Sequence, residues 1–228
     1  MIEHELREQI CLIGRLMHNK GYIDATSGNI SARLDANHIL ITPSGVAKWQ
    51  LTPSDLLIID LAGNIQGNGN ISSETPMHLA CYQNRQDIQG VVHAHPPHAV
   101  ALTIAGIPVQ QFIIPEAIVF LGAIPTLPYA TPSTEENSRV VQQFIKQHDV
   151  LMLTHHGSLT VAESVWKAYL KLETLEHIAH ITSTVIQLGG AKRYLTWAEV
   201  EILLAQRQKL GVSQPGEIDV FREFYQVA

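Results

Sequence analysis

The segment GVVHAHPPHAV, Gly90 to Val100, reads as a buried strand that two prolines stop and a helix follows, and it carries three histidines within six positions. A strand feeding directly into a helix is the repeating unit of an α/β protein. Pro96 and Pro97 lack the backbone donor a strand needs and suit the first turn of a helix, "PHAVALTIAG". A core strand usually runs as uninterrupted Val, Ile and Leu, so imidazoles here are either satisfied core groups or ligands.

Working outward, "SSETPMHLACYQ" predicts a loop opening a helix from about Pro76. Before it, "ATSGNIS", the strand "ANHILITPSG" and "SDLLIIDLAGNIQGNG" alternate apolar runs with turns. At the N-terminus, Leu6, Ile10, Ile13 and Met17 recur at helical spacing, so residues 2–20 read as an amphipathic helix ended by Gly21. Downstream, "IPVQQF", "AIPTLPY" and "VLMLTHHGSLTV" read as short strands, and Glu135–Gln147 and Ser164–Leu188 as helices. Gly189 and Gly190 close the latter, and "TWAEVEILLAQRQ" supplies a final helix. No linker, repeat or low-complexity tract interrupts the alternation. The expectation is therefore one α/β domain over residues 1–228 with a central sheet, mixed or antiparallel because the strands are short and irregularly spaced.

At 228 residues, 46 % hydrophobic and 16 % charged, the chain suits a folded domain with a substantial core. A net charge of −6 argues against sequence-independent nucleic-acid binding, which draws on a basic face. An anionic substrate must then be held by local donors. The acidic start "MIEHELREQ" predicts no targeting segment, and the apolar runs are broken well short of the ~20 residues a spanning helix needs. Cys11 and Cys81 lie far apart without a CxxC, as free thiols in a reducing cytoplasm would.

His93 and His95 are two apart on a strand, so their side chains share one face. Catalytic zinc sites use three protein ligands and keep one position open. A third donor is available about sixty residues on, where "LMLTHHG" places His155 and His156 at a strand end; His156 is the better choice because Gly157 lets the backbone turn sharply. The alternative leaves His93 and His95 as hydrogen-bonded core groups. His98, beyond the prolines, reads as exposed or as a neighbour of a ligand. Glu173, Glu176, His177 and His180 share one helical face, but with no matching second motif they read as a solvated or subunit-facing stripe. "TSGN", "TPSG" and "SSE" each bring hydroxyls or glycine amides to a turn where an anion can be cradled. No GxSxG or GxxxxGK[ST] is present, and "GNGNIS" lacks the helix that a dinucleotide fingerprint needs.

Taken in order, "SGN", "TPSG", "SSE", "HAHPPH" and "HHG" resemble the class II aldolase/adducin family over roughly residues 5–190, and most of all its L-fuculose-1-phosphate aldolase branch; residues 191–228 would be a C-terminal helix and tail. The resemblance implies a three-layer α/β/α fold with a central, mostly antiparallel sheet, in a homotetramer with active sites at subunit interfaces. It implies one Zn2+ per subunit on His93, His95 and His156, with Glu74 as catalytic acid/base that also occupies the metal in an empty site. Gly28, Asn29, Ser44, Gly45, Ser72 and Ser73 would hold the phosphate of a ketose 1-phosphate, which is cleaved reversibly to dihydroxyacetone phosphate and an aldehyde. Where the resemblance expects a tyrosine acid stands Phe112, and where it expects one near the C-terminus stands Leu210; Tyr225 and Glu116 are the ionisable groups at hand. That departure keeps epimerase, decarboxylase and dehydratase chemistry on a phosphorylated sugar or sugar acid in view. An adducin-like scaffold without catalysis fits poorly, because the three histidines and Glu74 are intact.

Overall fold

The quoted segment does become a strand and a helix: β5 spans Gly90–Ala94, and α3 spans Pro97–Ile104 with Pro96 at its N-cap. The computed structural model describes residues 2–110 and 112–227. Ahead of β5 come α1 (Glu3–Asn19), β1 (Asn29–Arg33), β2 (His38–Ile41), β3 (Leu57–Asp60), β4 (Ile65–Gln66) and α2 (Thr75–Asn84). After α3 come a π-turn (Ala117–Leu121), β6 (Thr126–Leu127), α4 (Glu135–Phe144), β7 (Val150–Leu153) and β8 (Gly157–Ala162). The chain then forms α5 (Val165–Gln187), α6 (Trp197–Lys209) and α7 (Glu217–Val227).

The strands form one sheet in the order β4-β3-β2-β1-β5-β8-β7-β6. Every neighbouring pair is antiparallel except β6 with β7. Helices cover both faces, and the period-two alternation of strand side chains shows it. Ile30, Leu40 and Val92 pack with α1 and α5, whereas Ile39, Ile41, Val91 and Leu151 pack with α2 and α4. The architecture is the expected three-layer α/β/α with a mixed, mostly antiparallel sheet. Gly90 lets α5 lie close on β5: an added Cβ would stand 2.2 Å from the Val165 Cα.

The departures have local causes. Of "IPVQQF", Gln111 lies outside the described residues and the others form no strand, because Phe112 takes φ 50° and turns into the cluster under α6 and α7. "AIPTLPY" keeps only two strand residues, bounded by Pro125 and Pro128. "VLMLTHHGSLTV" is a hairpin of β7 and β8, with His155 and His156 in its turn. The unexpected α7 is fixed by a buried ion pair, Arg207 Nε donating to Glu217 at 2.9 Å, while the same guanidinium donates to the Val119 carbonyl at 3.0 Å. Among the described residues, no helix is long and apolar enough to cross a membrane, and Cys11 and Cys81 are buried free thiols.

Candidate metal centre and substrate cradle

The ladder fixes where the site lies. Asn29, opening β1, stands directly across from His93, near the end of β5, and Ala94 stands across from Ser158 on β8. His93 follows Val91 on the face toward α2, and His95 shares that face. His156 reaches the same point from the β7–β8 turn, whose backbone is held on both sides: the Thr154 hydroxyl donates to the Leu127 carbonyl, and the His155 amide donates to Thr103 Oγ1 at 3.1 Å. One nitrogen from each of His93, His95 and His156 lies within 4.8 Å of the others, and the ring centroids are 4.8–4.9 Å apart.

His93 Nδ1 stands 2.9 Å from the Ser158 carbonyl, to which it donates, so Nε2 is left as the free lone pair. Nε2 of His93 faces Nε2 of His95 at 3.0 Å. Burial lowers the pKa of His93 and of His95, so both stay neutral, as ligands must be. Glu74, at the N-cap of α2, places Oε1 at 3.1 Å from His156 Nε2 and 3.5 Å from His93 Nε2. A carboxylate oxygen standing against two of three converging imidazole nitrogens is a donor set that a divalent cation would complete. Burial alone raises Glu74, but His93, His156 and the Asn29 amide outweigh it and hold the carboxyl below its ordinary range.

Gly157 makes the convergence possible through space rather than through a turn. An added Cβ would stand 2.4 Å from the Ala94 carbonyl, 2.8 Å from His95 and 3.0 Å from His93. The left-handed residue of this turn is His155, at φ 59°.

The three hydroxyl and glycine loops meet beside this cluster. Lys48 Nζ donates to the carbonyls of Thr26 and Val46, each at 2.8 Å, tying the loop of Gly28 to that of Ser44 and Gly45. Pro43 bridges Ile71, and the Ser44 amide donates to the Asn70 carbonyl at 2.8 Å, joining the second loop to that of Ser72 and Ser73. Asn29 Nδ2 donates to Glu74 Oε2 at 2.7 Å. Ser44, Gly45 and Ser73 are exposed, Ser72 is half-buried, and Gly28 and Asn29 are buried. Lys48 is 2 % exposed, and burial lowers its pKa to about 8.

The other residues singled out in the sequence have their own surroundings in this chain. Phe112 is buried against Phe221 and Tyr225 of its own subunit, and the Tyr225 hydroxyl donates to the Leu195 carbonyl at 3.1 Å. Glu116 is exposed ahead of the π-turn, and Leu210 is exposed. The stripe on α5, expected to be solvated or subunit-facing, is exposed at His177 and His180 and not at Glu176. Glu176 is buried and accepts from the amides of His98 and Ala99 at 2.9 and 3.0 Å, capping α3, while His98 Nδ1 lies 2.8 Å away. Sequence reasoning missed Lys48 and a set of buried residues behind Glu74, namely Ser31, His78 and Tyr82. The available signal was spacing, since His78 is four residues past Glu74 on one helical face. It also missed Tyr129, exposed on a cleft of about 460 Å³ that Pro132, Thr154, His155 and His156 complete.

The profile of the Class II Aldolase and Adducin N-terminal domain matches residues 8–183. The chain belongs to the class II aldolase/adducin family. It is a metal-dependent lyase of that family, and its three-histidine cluster offers three ligand nitrogens that could hold a metal ion. An L-fuculose phosphate aldolase of Methanococcus maripaludis is 34 % identical over 176 residues, 77 % of this chain and 95 % of the relative. A 3-oxo-tetronate 4-phosphate decarboxylase of Cupriavidus necator is 32 % identical over 192 residues, 82 % of this chain and 88 % of the relative. The crystal structure of L-fuculose-1-phosphate aldolase from Thermus thermophilus superposes with a TM-score of 0.72 at 31 % identity, covering 83 % of this chain and 98 % of that one. Family membership thus goes with sugar-phosphate chemistry of more than one kind.

Proposed function

We propose that this family member is a zinc-dependent aldolase that cleaves a ketose 1-phosphate reversibly to dihydroxyacetone phosphate and an aldehyde. One observation carries the reading: a Glu74 carboxylate oxygen and three imidazole nitrogens converge beside three joined loops of small polar residues. His93, His95 and His156 hold the ion. Zinc bound there supplies Lewis-acid charge to the carbonyl and hydroxyl oxygens of the ketose. Glu74 moves the proton at the hydroxyl-bearing carbon next to the carbonyl, delivering it to the enediolate in cleavage and removing it in the reverse direction, an acid/base role that typically contributes 10²–10⁴-fold.

Gly28, Ser44, Gly45, Ser72 and Ser73 orient the phosphate, with Asn29 at the junction of cradle and carboxylate. Lys48 adds a fixed positive charge beneath two of the loops. In cleavage the hydroxyl on the carbon that leaves as the aldehyde must lose its proton, and in the reverse direction the aldehyde oxygen must gain one. Phe112 can do neither and Tyr225 is engaged within its own subunit, so the reading assigns that proton transfer to the exposed phenol of Tyr129. Exposed Phe120, Leu170 and Leu210 on the groove beside α5 support a homotetramer with its sites at subunit contacts, and two free thiols suit the cytoplasm.

A second reading, decarboxylation of a phosphorylated 3-oxo sugar acid, is favoured by the buried Phe112 and by the decarboxylase relative. It uses the same charge stabilisation and releases carbon dioxide instead of an aldehyde. A screen of phosphorylated ketoses and sugar acids, scored for both products, separates them. For the aldolase, one bound zinc per chain and aldehyde release are expected. Glu74→Gln should keep the zinc while losing at least 100-fold in turnover, and Tyr129→Phe should lose at least 10-fold with unchanged zinc. Carbon dioxide as the product, or full turnover in the glutamine variant, overturns the assignment.

A further inference from the structure

Behind Glu74 runs a line of buried side chains that the chemistry above does not use. Asn29 Nδ2 lies 2.7 Å from Glu74 Oε2, and Asn29 Oδ1 lies 2.5 Å from His78 Nε2. His78 Nδ1 lies 2.6 Å from Ser31 Oγ, which lies 2.9 Å from the Tyr82 hydroxyl. Asn29, Ser31, His78 and Tyr82 are each no more than 2 % exposed. β1 supplies Asn29 and Ser31, two apart on one strand face, and α2 supplies His78 and Tyr82, four apart on one helical face.

The donor sense of every link follows from the acceptor at its end. An ionised carboxylate only accepts, so the Asn29 amide nitrogen faces Glu74 and its oxygen faces His78. His78 therefore carries its proton on Nε2. Burial lowers the pKa of His78 to about 4, so the ring is neutral and Nδ1 accepts from the Ser31 hydroxyl. Ser31 Oγ in turn accepts from Tyr82. Rotating the Asn29 amide by half a turn would set oxygen against carboxylate and NH2 against N–H, so the chain runs in one direction only.

Such a chain is costly to bury, and apolar side chains of similar volume could fill the same space between β1 and α2 without desolvating four polar groups. It ends at the Asn29 amide nitrogen, which lies 2.7 Å from Glu74 Oε2 and, at the longer distance of 3.5 Å, reaches Ser72 Oγ; the other Glu74 oxygen stands beside the imidazoles, 3.1 Å from His156 Nε2. We propose that Tyr82, Ser31 and His78 are positioning residues for catalysis: through Asn29 they hold one oxygen of Glu74, so that the other is presented to the reacting carbon. The inference rests on the reading that Glu74 moves the substrate proton. Neighbouring groups that fix the orientation of a functional side chain commonly contribute 10–100-fold.

The test follows solvent deuterium entering dihydroxyacetone phosphate, the proton-transfer step alone, in the zinc-loaded enzyme, together with KM, zinc content and thermal midpoint. His78→Leu removes both ring contacts, and Ser31→Ala removes the donor to His78 in a variant small enough to fold. Exchange is expected to fall 10–100-fold in His78→Leu and at least 5-fold in Ser31→Ala, with KM and zinc within twofold of the wild type. His78→Gln again offers an acceptor and a donor and should restore most of the rate even where its thermal midpoint is lowered, which a merely structural role would not do. Wild-type exchange in folded Ser31→Ala and His78→Leu, or equal loss in His78→Gln and His78→Leu, overturns the positioning role. If Glu74→Gln itself exchanges at the wild-type rate, the base is elsewhere and both the reading and the inference fall.

Discussion

At the scale of single residues, the metal centre depends on one missing methyl group. Gly157 sits where a Cβ would press on the Ala94 carbonyl and on the rings of His93 and His95, and backbone oxygen cannot yield as a flexible side chain can. Gly157→Ala is therefore expected to fold but to weaken divalent-metal binding at least tenfold, measured by competition with a chromogenic chelator. The sequence did point to His156 through its glycine, though for another reason. A glycine beside a histidine suggests a sharp turn, whereas the left-handed conformation falls on His155 and the glycine provides clearance. Clearance depends on three-dimensional neighbours, and no local pattern encodes it.

At the scale of elements, one strand and a hairpin turn deliver the candidate ligands, and three loops deliver the cradle. The strand–proline–helix reading of residues 90–104 holds, because alternation and proline chemistry are local signals. The convergence of the loops was suggested by composition, but its agent, Lys48, was not. A lysine four residues past a turn looks like any surface lysine until its burial is known. With Lys48→Met, the carbonyls of Thr26 and Val46 lose their shared donor. Amide hydrogen exchange in residues 25–29 and 43–47 is expected to quicken at least tenfold while amides of β5 and β8 stay unchanged, read by mass spectrometry. For the chain from Tyr82 to Glu74 the sequence carried only the four-residue spacing of Glu74, His78 and Tyr82. Each of its links crosses from α2 to β1, and pairing between distant segments is invisible to spacing alone.

At the scale of the whole molecule, the sheet buries ionisable rings as well as aliphatic ones. Burial lowers the pKa of both His78 and His148, the former to about 4 from an ordinary 6.5. Between these values the unfolded chain binds a proton that the folded protein refuses, so stability is full above about pH 6.5 and is lost as the pH falls toward 4. For His78 alone the loss amounts to roughly 3 kcal/mol. Denaturant titrations at pH 7 and pH 4.5 should show it, and His78→Gln should flatten the slope. The C-terminal helices α6 and α7 lie outside the region the family profile matches and are secured by Arg207 and Glu217. The ligand set has a mechanical side too. His95 and His156 are about sixty residues apart in the chain, and the segment between them contains α3, the π-turn, β6, α4 and β7. An ion gripping both ends acts as a removable clasp on a quarter of the chain, because the energy of gripping it counts toward folding. The supply of that ion would thus govern how long each copy survives as well as how fast it turns over.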